Sequence, residues 1–250
     1  MDVILHLTQD CQLSCSYCYG GPKQRRAMSF ATAKSAIDLL FNQPTADAPP
    51  KLTFFGGEPL LEMGLLRECV EYAESRRAET GMRNRFEVAT NGVAVDEEVV
   101  SYFLEKDIEP TLSFDGVRSA QDACRRHANG GSSFAEAERA LHRLLPSFPD
   151  LPVCAVVSPE NVRHLPDSID FFLHAGVKRL MLNPNFFAHW DEGHRDLWRI
   201  GYEHAATRFV EEILIGRIGV RHLIVGYDYA FGRGREGNVD FFRSKGEEYG

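Results

Sequence analysis

No apolar stretch in this 250-residue chain is long enough to span a bilayer. The first residues, Met1-Asp2-Val3-Ile4-Leu5-His6, lack both a basic stretch and a long apolar segment, so they do not read as a secretory leader. Positive charge is also scarce: 28 Lys and Arg face 36 Asp and Glu, a net charge of −8, which argues against a surface that coats nucleic acid. There is no internal repeat and no low-complexity linker. Cysteine is too sparse for a disulfide framework, because the six fall as one cluster, Cys11, Cys15 and Cys18, and three singles, Cys69, Cys124 and Cys154. The pattern suggests one metal site and three incidental thiols in a reducing cytoplasm. What remains is ordinary globular material, 44% hydrophobic and 26% charged, enough for one large domain or a domain with an appendage.

Short β-branched runs alternate with amphipathic ones. Strands are expected at 3–8, 52–55, 85–89, 110–114, 152–157 and 179–182. Helices are expected at 29–41 with Ser29 as N-cap, 64–80, 96–106, 133–145, 165–175 ended by Gly176, and 194–215. Six βα units in a row predict an α/β fold with a parallel sheet. An open partial barrel and a doubly wound sheet both satisfy that count. The motifs recur just after successive strands, which favours a partial (β/α)6 TIM-like barrel with its site at the strands' carboxyl ends. The pattern changes near Gly216. Beyond it come a candidate strand at 220–227, a glycine-rich basic loop and a last helix, so a core of 1–217 and a short α/β appendage of 218–250 are expected.

Cys11-Gln12-Leu13-Ser14-Cys15-Ser16-Tyr17-Cys18 is a C-x3-C-x2-C loop directly after the first strand. Structural zinc and ferredoxin clusters both call for four protein ligands, and no second cysteine pair exists here. Three thiolates leave one iron of a [4Fe–4S] cluster open to a further ligand. A degenerate zinc finger is the duller alternative. Gly56-Gly57-Glu58-Pro59 follows the second strand; its glycines allow close backbone approach and its carboxylate can accept hydrogen bonds from an ammonium.

Together these motifs resemble the radical S-adenosylmethionine superfamily, in particular its branch of anaerobic sulfatase-maturating and peptide-maturating enzymes. The resemblance covers roughly 1–215. It includes Tyr17 before the third cysteine, Thr90-Asn91-Gly92 after strand three and Ser113-Phe114-Asp115-Gly116 after strand four. The stretches 121–126, 130–134 and 158–162 also look like that branch. The resemblance implies that Cys11, Cys15 and Cys18 hold a [4Fe–4S] cluster whose open iron takes S-adenosylmethionine. Glu58 and the backbone of Gly56, Gly57 and Pro59 would grip the methionine ammonium. Tyr17 would lie near the adenine, and Asn91, Ser113 and Asp115 would meet the carboxylate or ribose. It further implies reductive cleavage to a 5′-deoxyadenosyl radical that takes hydrogen from a peptide or protein side chain. A flavodoxin- or ferredoxin-type donor would supply the electron. Nucleic-acid and membrane partners are not expected, and no residue stands out as an acid or base.

Peptide-modifying members carry further cysteines in a C-terminal extension, whereas here the cysteines stop at Cys154, so auxiliary clusters are not expected. Residues 209–250, centred on Val225–Gly232, resemble a segment of bacterial FAD synthetase. The paired histidines of that family are absent, and His189 and His194 do not form them. The alternative readings are therefore an FMN-adenylylating fragment or a non-catalytic iron–sulfur module. His127, His142, His164, His174 and His204 read as solvated, Trp190 and Trp198 as packing residues, and Arg233 and Arg235 as a solvated basic loop.

Overall fold

The computed structural model describes residues 2–42, 49–217, 230–231 and 237–249. They form two compact units, Met1–His189 and Trp190–Gly250.

The first unit is built on six strands: β1 (Val3–Thr8), β2 (Lys51–Gly56), β3 (Arg85–Thr90), β4 (Ile108–Ser113), β5 (Pro152–Val157) and β6 (Arg179–Pro184). All neighbours are parallel and the sheet order is the chain order. Right-handed crossovers between strands added always on the same side put every helix on the same face. A doubly wound sheet needs a reversal of strand order, and there is none, so the sheet is a partial barrel. Burial follows from this. Leu5 and Leu7 of β1, Leu52 and Phe54 of β2, Phe86 and Val88 of β3, and Val153 and Ala155 of β5 are buried against the helices. On the other face Ile4 and His6 of β1 are exposed, while Thr53, Phe55, Glu87, Ala89, Cys154 and Val156 are half-buried.

The helices are α1 (Phe30–Phe41), α2 (Met63–Thr80), α3 (Glu97–Glu105), α4 (Arg118–Cys124), α5 (Phe134–Leu144) and α6 (Leu165–His174). Ser29 caps α1 by accepting from the Thr32 N–H at 3.2 Å, and Asp96 caps α3 by accepting from Val99 at 2.9 Å. Gly81 closes α2 at φ +69°, a left-handed conformation suited to glycine. Phe114, Phe134, Phe171 and Phe172 pack with centroids 5.4–6.0 Å apart where β4 meets α5 and α6.

The structure moves β4 two residues earlier than the sequence suggests, because Ile108 and Glu109 already pair with Phe86 and Glu87. It also adds α4, which the sequence hides. That helix buries only Ala120, Gln121 and Cys124, so it has no large apolar stripe to announce it.

In the second unit α7 (Glu192–Arg208) starts at the Asp191 cap and runs into a π-helical segment, Phe209–Arg217. The expected long helix is therefore present, with a change of winding in its last third. Trp198 lies 5.7 Å from Trp190 and 5.1 Å from Tyr202, ring to ring. A two-residue antiparallel pair, Ala230–Phe231 with Gly237–Asn238, precedes α8 (Val239–Tyr249). The strand expected at 220–227 lies outside the described residues. Among them, no helix is long and apolar enough to cross a membrane.

Candidate cofactor site

Residues 9–18 leave β1 and run over the carboxyl ends of the strands. Backbone pairing holds this loop in place. Ser14 and Ser16 donate to the carbonyls of Arg126 and Cys124 at 2.8 and 2.9 Å, and Ala128 donates to that of Gln12 at 3.2 Å. Leu13 forms an isolated antiparallel bridge with His127 and is buried. The segment after α4 thus serves as a short strand for the cysteine loop.

The second anchor is the turn after β2. Gly57 donates to the Thr8 carbonyl and Glu58 to that of Asp10, both at 2.8 Å. Gly56 has φ +131°, and a Cβ there would sit 2.4 Å from the Thr8 oxygen. At Gly57 a Cβ would sit 2.0 Å from the Asp10 oxygen. Both positions therefore exclude any side chain, and the glycines bring two stretches of backbone into direct contact. Buried Pro59 then opens a single 3-10 turn, Pro59–Glu62.

The three cysteines of the loop are free and partly buried. The Cys11 Sγ accepts from the Leu13 N–H and the Asn91 Nδ2, each at 3.4 Å. The Cys18 Sγ accepts from Lys23 Nζ at 2.8 Å. Burial pushes the Cys11 and Cys15 thiols up, opposed at Cys15 by the charge of Arg125. Burial acts the same way on Cys18, but Lys23 outweighs it and the thiol falls below its ordinary value. Among the described residues, no three His, Cys, Asp or Glu side chains converge as a mononuclear metal centre requires. Three cysteines on one loop suit a cluster in which each binds a different iron, and the N–H donors at sulfur are the kind that stabilise such ligands. The residues present fit a [4Fe–4S] group held on three cysteines. Cys69 and Cys124 are different: burial lifts them to about 12 and about 11, as for inert core thiols.

Glu58 is 1% exposed. Its Oε1 accepts from Thr90 Oγ1 at 2.8 Å and from the Leu60 N–H at 3.2 Å, and its Oε2 accepts from the Asn91 N–H at 2.8 Å. Burial raises its pKa to about 7 despite these bonds. Asn91 lies between Glu58 and the cysteine loop. Ser113 ends β4, half-buried, and its hydroxyl makes no hydrogen bond among the described residues.

Asp115 is fully enclosed. Tyr17 donates its hydroxyl to Oδ2 at 2.5 Å, while Arg125 Nε and the Val156 N–H donate to Oδ1 at 2.9 and 3.0 Å. Burial drives the Tyr17 hydroxyl well above its ordinary range, so it stays protonated as a donor. The Arg125 guanidinium also lies 5.3 Å from the Tyr17 ring centroid. The sequence gives no role to Arg125, Thr90 or Lys23, although Thr90 opens the Thr90-Asn91-Gly92 motif and Arg125 falls in the 121–126 stretch that resembles the maturase branch. The histidine at 127, expected to be solvated, is paired with Glu136 at 2.7 Å.

Parallel strands whose carboxyl ends carry glycine turns, buried carboxylates and a three-cysteine loop define an α/β protein with a candidate cofactor site at one end of the sheet. The model for the Radical SAM superfamily matches residues 5–187, and the chain belongs to that superfamily, whose cofactors are a [4Fe–4S] cluster and S-adenosylmethionine. A second model, for FAD synthetase, matches residues 202–250.

An uncharacterized protein of Methanocaldococcus jannaschii is 30% identical over 178 residues, covering 71% of this chain and 60% of that protein. The Fe-coproporphyrin III synthase of Methanosarcina barkeri is 28% identical, covering 71% and 42%. A cysteine-type anaerobic sulfatase-maturating enzyme of Clostridium novyi is 24% identical, covering 71% and 49%. The chain therefore spans between two fifths and three fifths of these relatives' lengths. Among solved structures, native anSMEcpe with bound AdoMet and Cp18Cys peptide shares the fold. Its TM-score is 0.74 at 20% identity, covering 87% of this chain and 62% of that one.

Proposed function

We propose that this chain is the catalytic core of a radical S-adenosylmethionine enzyme that takes a hydrogen atom from a peptide or protein side chain. The observation that carries the reading is the docking of the three-cysteine loop onto the Gly56–Glu58 turn, with both glycine positions closed to any side chain. When bound, the cluster and S-adenosylmethionine supply the reactive carbon radical.

The chain's own residues bind and orient. Cys11, Cys15 and Cys18 would hold the cluster. The backbone of Gly56, Gly57 and Glu58, braced by Pro59, would receive the methionine ammonium. Ser113, with its unengaged hydroxyl, would receive the carboxylate. Asn91 and Asp115 would shape the strand ends around the ribose, and Tyr17, fixed by Asp115, would border the adenine. We place the core within 1–217 and treat 218–250 as an appendage. A small flavodoxin- or ferredoxin-type protein would deliver the electron, and the net charge of −8 and the unpaired thiols suit work in a reducing cytoplasm.

The peptide substrate is supported by the sulfatase-maturating relative and by the peptide in the anSMEcpe complex. A second substrate class, a tetrapyrrole, is supported by the more similar Fe-coproporphyrin III synthase. The deciding experiment is anaerobic reconstitution with iron and sulfide, followed by measurement of 5′-deoxyadenosine under dithionite. About four irons per chain and formation of 5′-deoxyadenosine are expected. A full cluster with no 5′-deoxyadenosine would overturn the reading, and about eight irons would reveal an auxiliary site. Stimulation by cysteine- or serine-containing peptides, against stimulation by a porphyrin, separates the two substrates.

A further inference from the structure

The sequence motif predicts that Glu58 faces the ammonium of S-adenosylmethionine. Its carboxylate instead turns into the protein. A carboxylate offers about four acceptor positions. Three are taken by Thr90 Oγ1, the Leu60 N–H and the Asn91 N–H, and the residue is 1% exposed. Burial outweighs these bonds and no cation among the described residues acts on the carboxylate, which leaves its pKa near 7.

The bonds lead elsewhere. Thr90 Oγ1 also accepts from the Gly92 N–H at 3.1 Å, so Glu58 and Thr90 together fix the turn after β3. Asn91 occupies that turn. Its Oδ1 accepts from the Val93 N–H at 2.9 Å, which sets the orientation of the amide. Its Nδ2 then donates to Cys11 Sγ at 3.4 Å and to Gln12 Oε1 at 3.3 Å. A path of hydrogen bonds runs from the turn after β2, through the turn after β3, to the Cys11 sulfur of the cysteine loop.

We propose that Glu58 is a positioning residue: its carboxylate holds the Thr90-Asn91 turn so that the Asn91 amide donates to the Cys11 thiolate. The ammonium is left to the backbone of the glycine turn. This deepens the proposed function and rests on its reading of Cys11 as a cluster ligand. Hydrogen bonds to ligating sulfur stabilise the extra negative charge of the reduced cluster and so raise its potential. Glu58 then sets how easily the cluster accepts its electron, with S-adenosylmethionine absent.

The test uses the full chain, with Glu58→Gln and Asn91→Asp alone and combined. In the protein without cluster, Glu58→Gln leaves the Asn91 N–H facing an amide instead of a carboxylate. Hydrogen exchange of residues 90–92 should then quicken roughly ten- to a hundredfold. In the reconstituted protein without S-adenosylmethionine, each single variant should move the cluster to a more negative potential and change its electron paramagnetic resonance signal. The double variant should move it no further than the larger single shift. Asn91→Asp retains the backbone N–H to Glu58 and the Val93 contact, so it serves even if Glu58→Gln folds poorly. Wild-type exchange and potential in Glu58→Gln, with only the affinity for S-adenosylmethionine reduced, would overturn the proposal and make Glu58 a direct ammonium ligand. Failure of the wild type to assemble a cluster would instead remove Cys11 as a ligand, and the proposal with it. Exchange would still report the Glu58–Asn91 bond.

Discussion

Arg125 donates from Nε to the Oδ1 of Asp115 at 2.9 Å, and the side chains are 8% and 0% exposed. Burial would by itself lower the Arg125 pKa, but Asp115 holds it well above the ordinary value, so the guanidinium is charged at any usable pH. The pair joins α4 to the end of β4, and through Tyr17 it reaches the cysteine loop. Removing one partner of such a buried pair leaves an uncompensated charge, at a cost of about 3–5 kcal/mol. Arg125→Ala should lower stability by that amount in urea titrations. The same substitution in an Asp115→Asn background should cost much less. Equal costs in the two backgrounds would mean that the pair is not coupled.

Gly57 is the tightest backbone approach in the site. The Asp10 oxygen lies 2.0 Å from where a Cβ would be, and that oxygen also accepts from Glu58. Gly57→Ala must push the cysteine loop away from β2. Destabilisation of roughly 1–3 kcal/mol and loss of most cluster iron are expected. Gly64→Ala is the control, since a Cβ there meets nothing within 4 Å, and it should assemble a normal cluster. Equal iron content in the two variants would show that the loop does not depend on this contact.

Much of this architecture is legible in the sequence. The six strands, the motifs after the first five of them, the Ser29 cap and the end of α6 at Gly176 follow from local propensity and periodicity. Side-chain direction is not legible there. Glu58 and Asp115 stand out as site residues, but nothing in a linear sequence says that both carboxylates turn inward to bind backbone N–H groups. Arg125 escapes notice for a related reason. It ends a short polar helix without an apolar stripe, and its importance comes from meeting Asp115, ten residues away in sequence. Lys23 meets Cys18 across a loop of no regular structure, which no periodicity marks.

Burial also gives Glu58 a signature in pH. Its pKa rises from 4.5 to about 7 in the folded protein. Between those values the folded state binds more protons than the unfolded state, so stability falls as pH rises across the window and levels off above it. The loss is on the order of 3 kcal/mol. In the protein without cluster, the urea midpoint of the wild type should therefore decline from pH 4.5 to 7.5 relative to that of Glu58→Gln. Parallel profiles for the two proteins would show that Glu58 keeps an ordinary pKa.

The tail invites a cut. Every residue assigned to the cofactor site lies in the first compact unit, which ends at His189. The superfamily match ends at residue 187, and the FAD synthetase match begins at residue 202, within α7. The anSMEcpe fold nevertheless covers 87% of the chain, more than residues 1–189 make up, so a cut at 189 would remove residues that share that fold. Ending the chain after Arg217 keeps α7 and the π-helical segment whole. That truncated protein should assemble its cluster and form 5′-deoxyadenosine under dithionite at rates near those of the full chain. Leu223, Ile224, Val225, Phe231, Phe241 and Phe242 are lost with the tail, so solubility and chemistry must be read separately. A truncated protein that stays folded and binds its cluster, yet makes no 5′-deoxyadenosine, would place the tail in the active site and move the domain boundary.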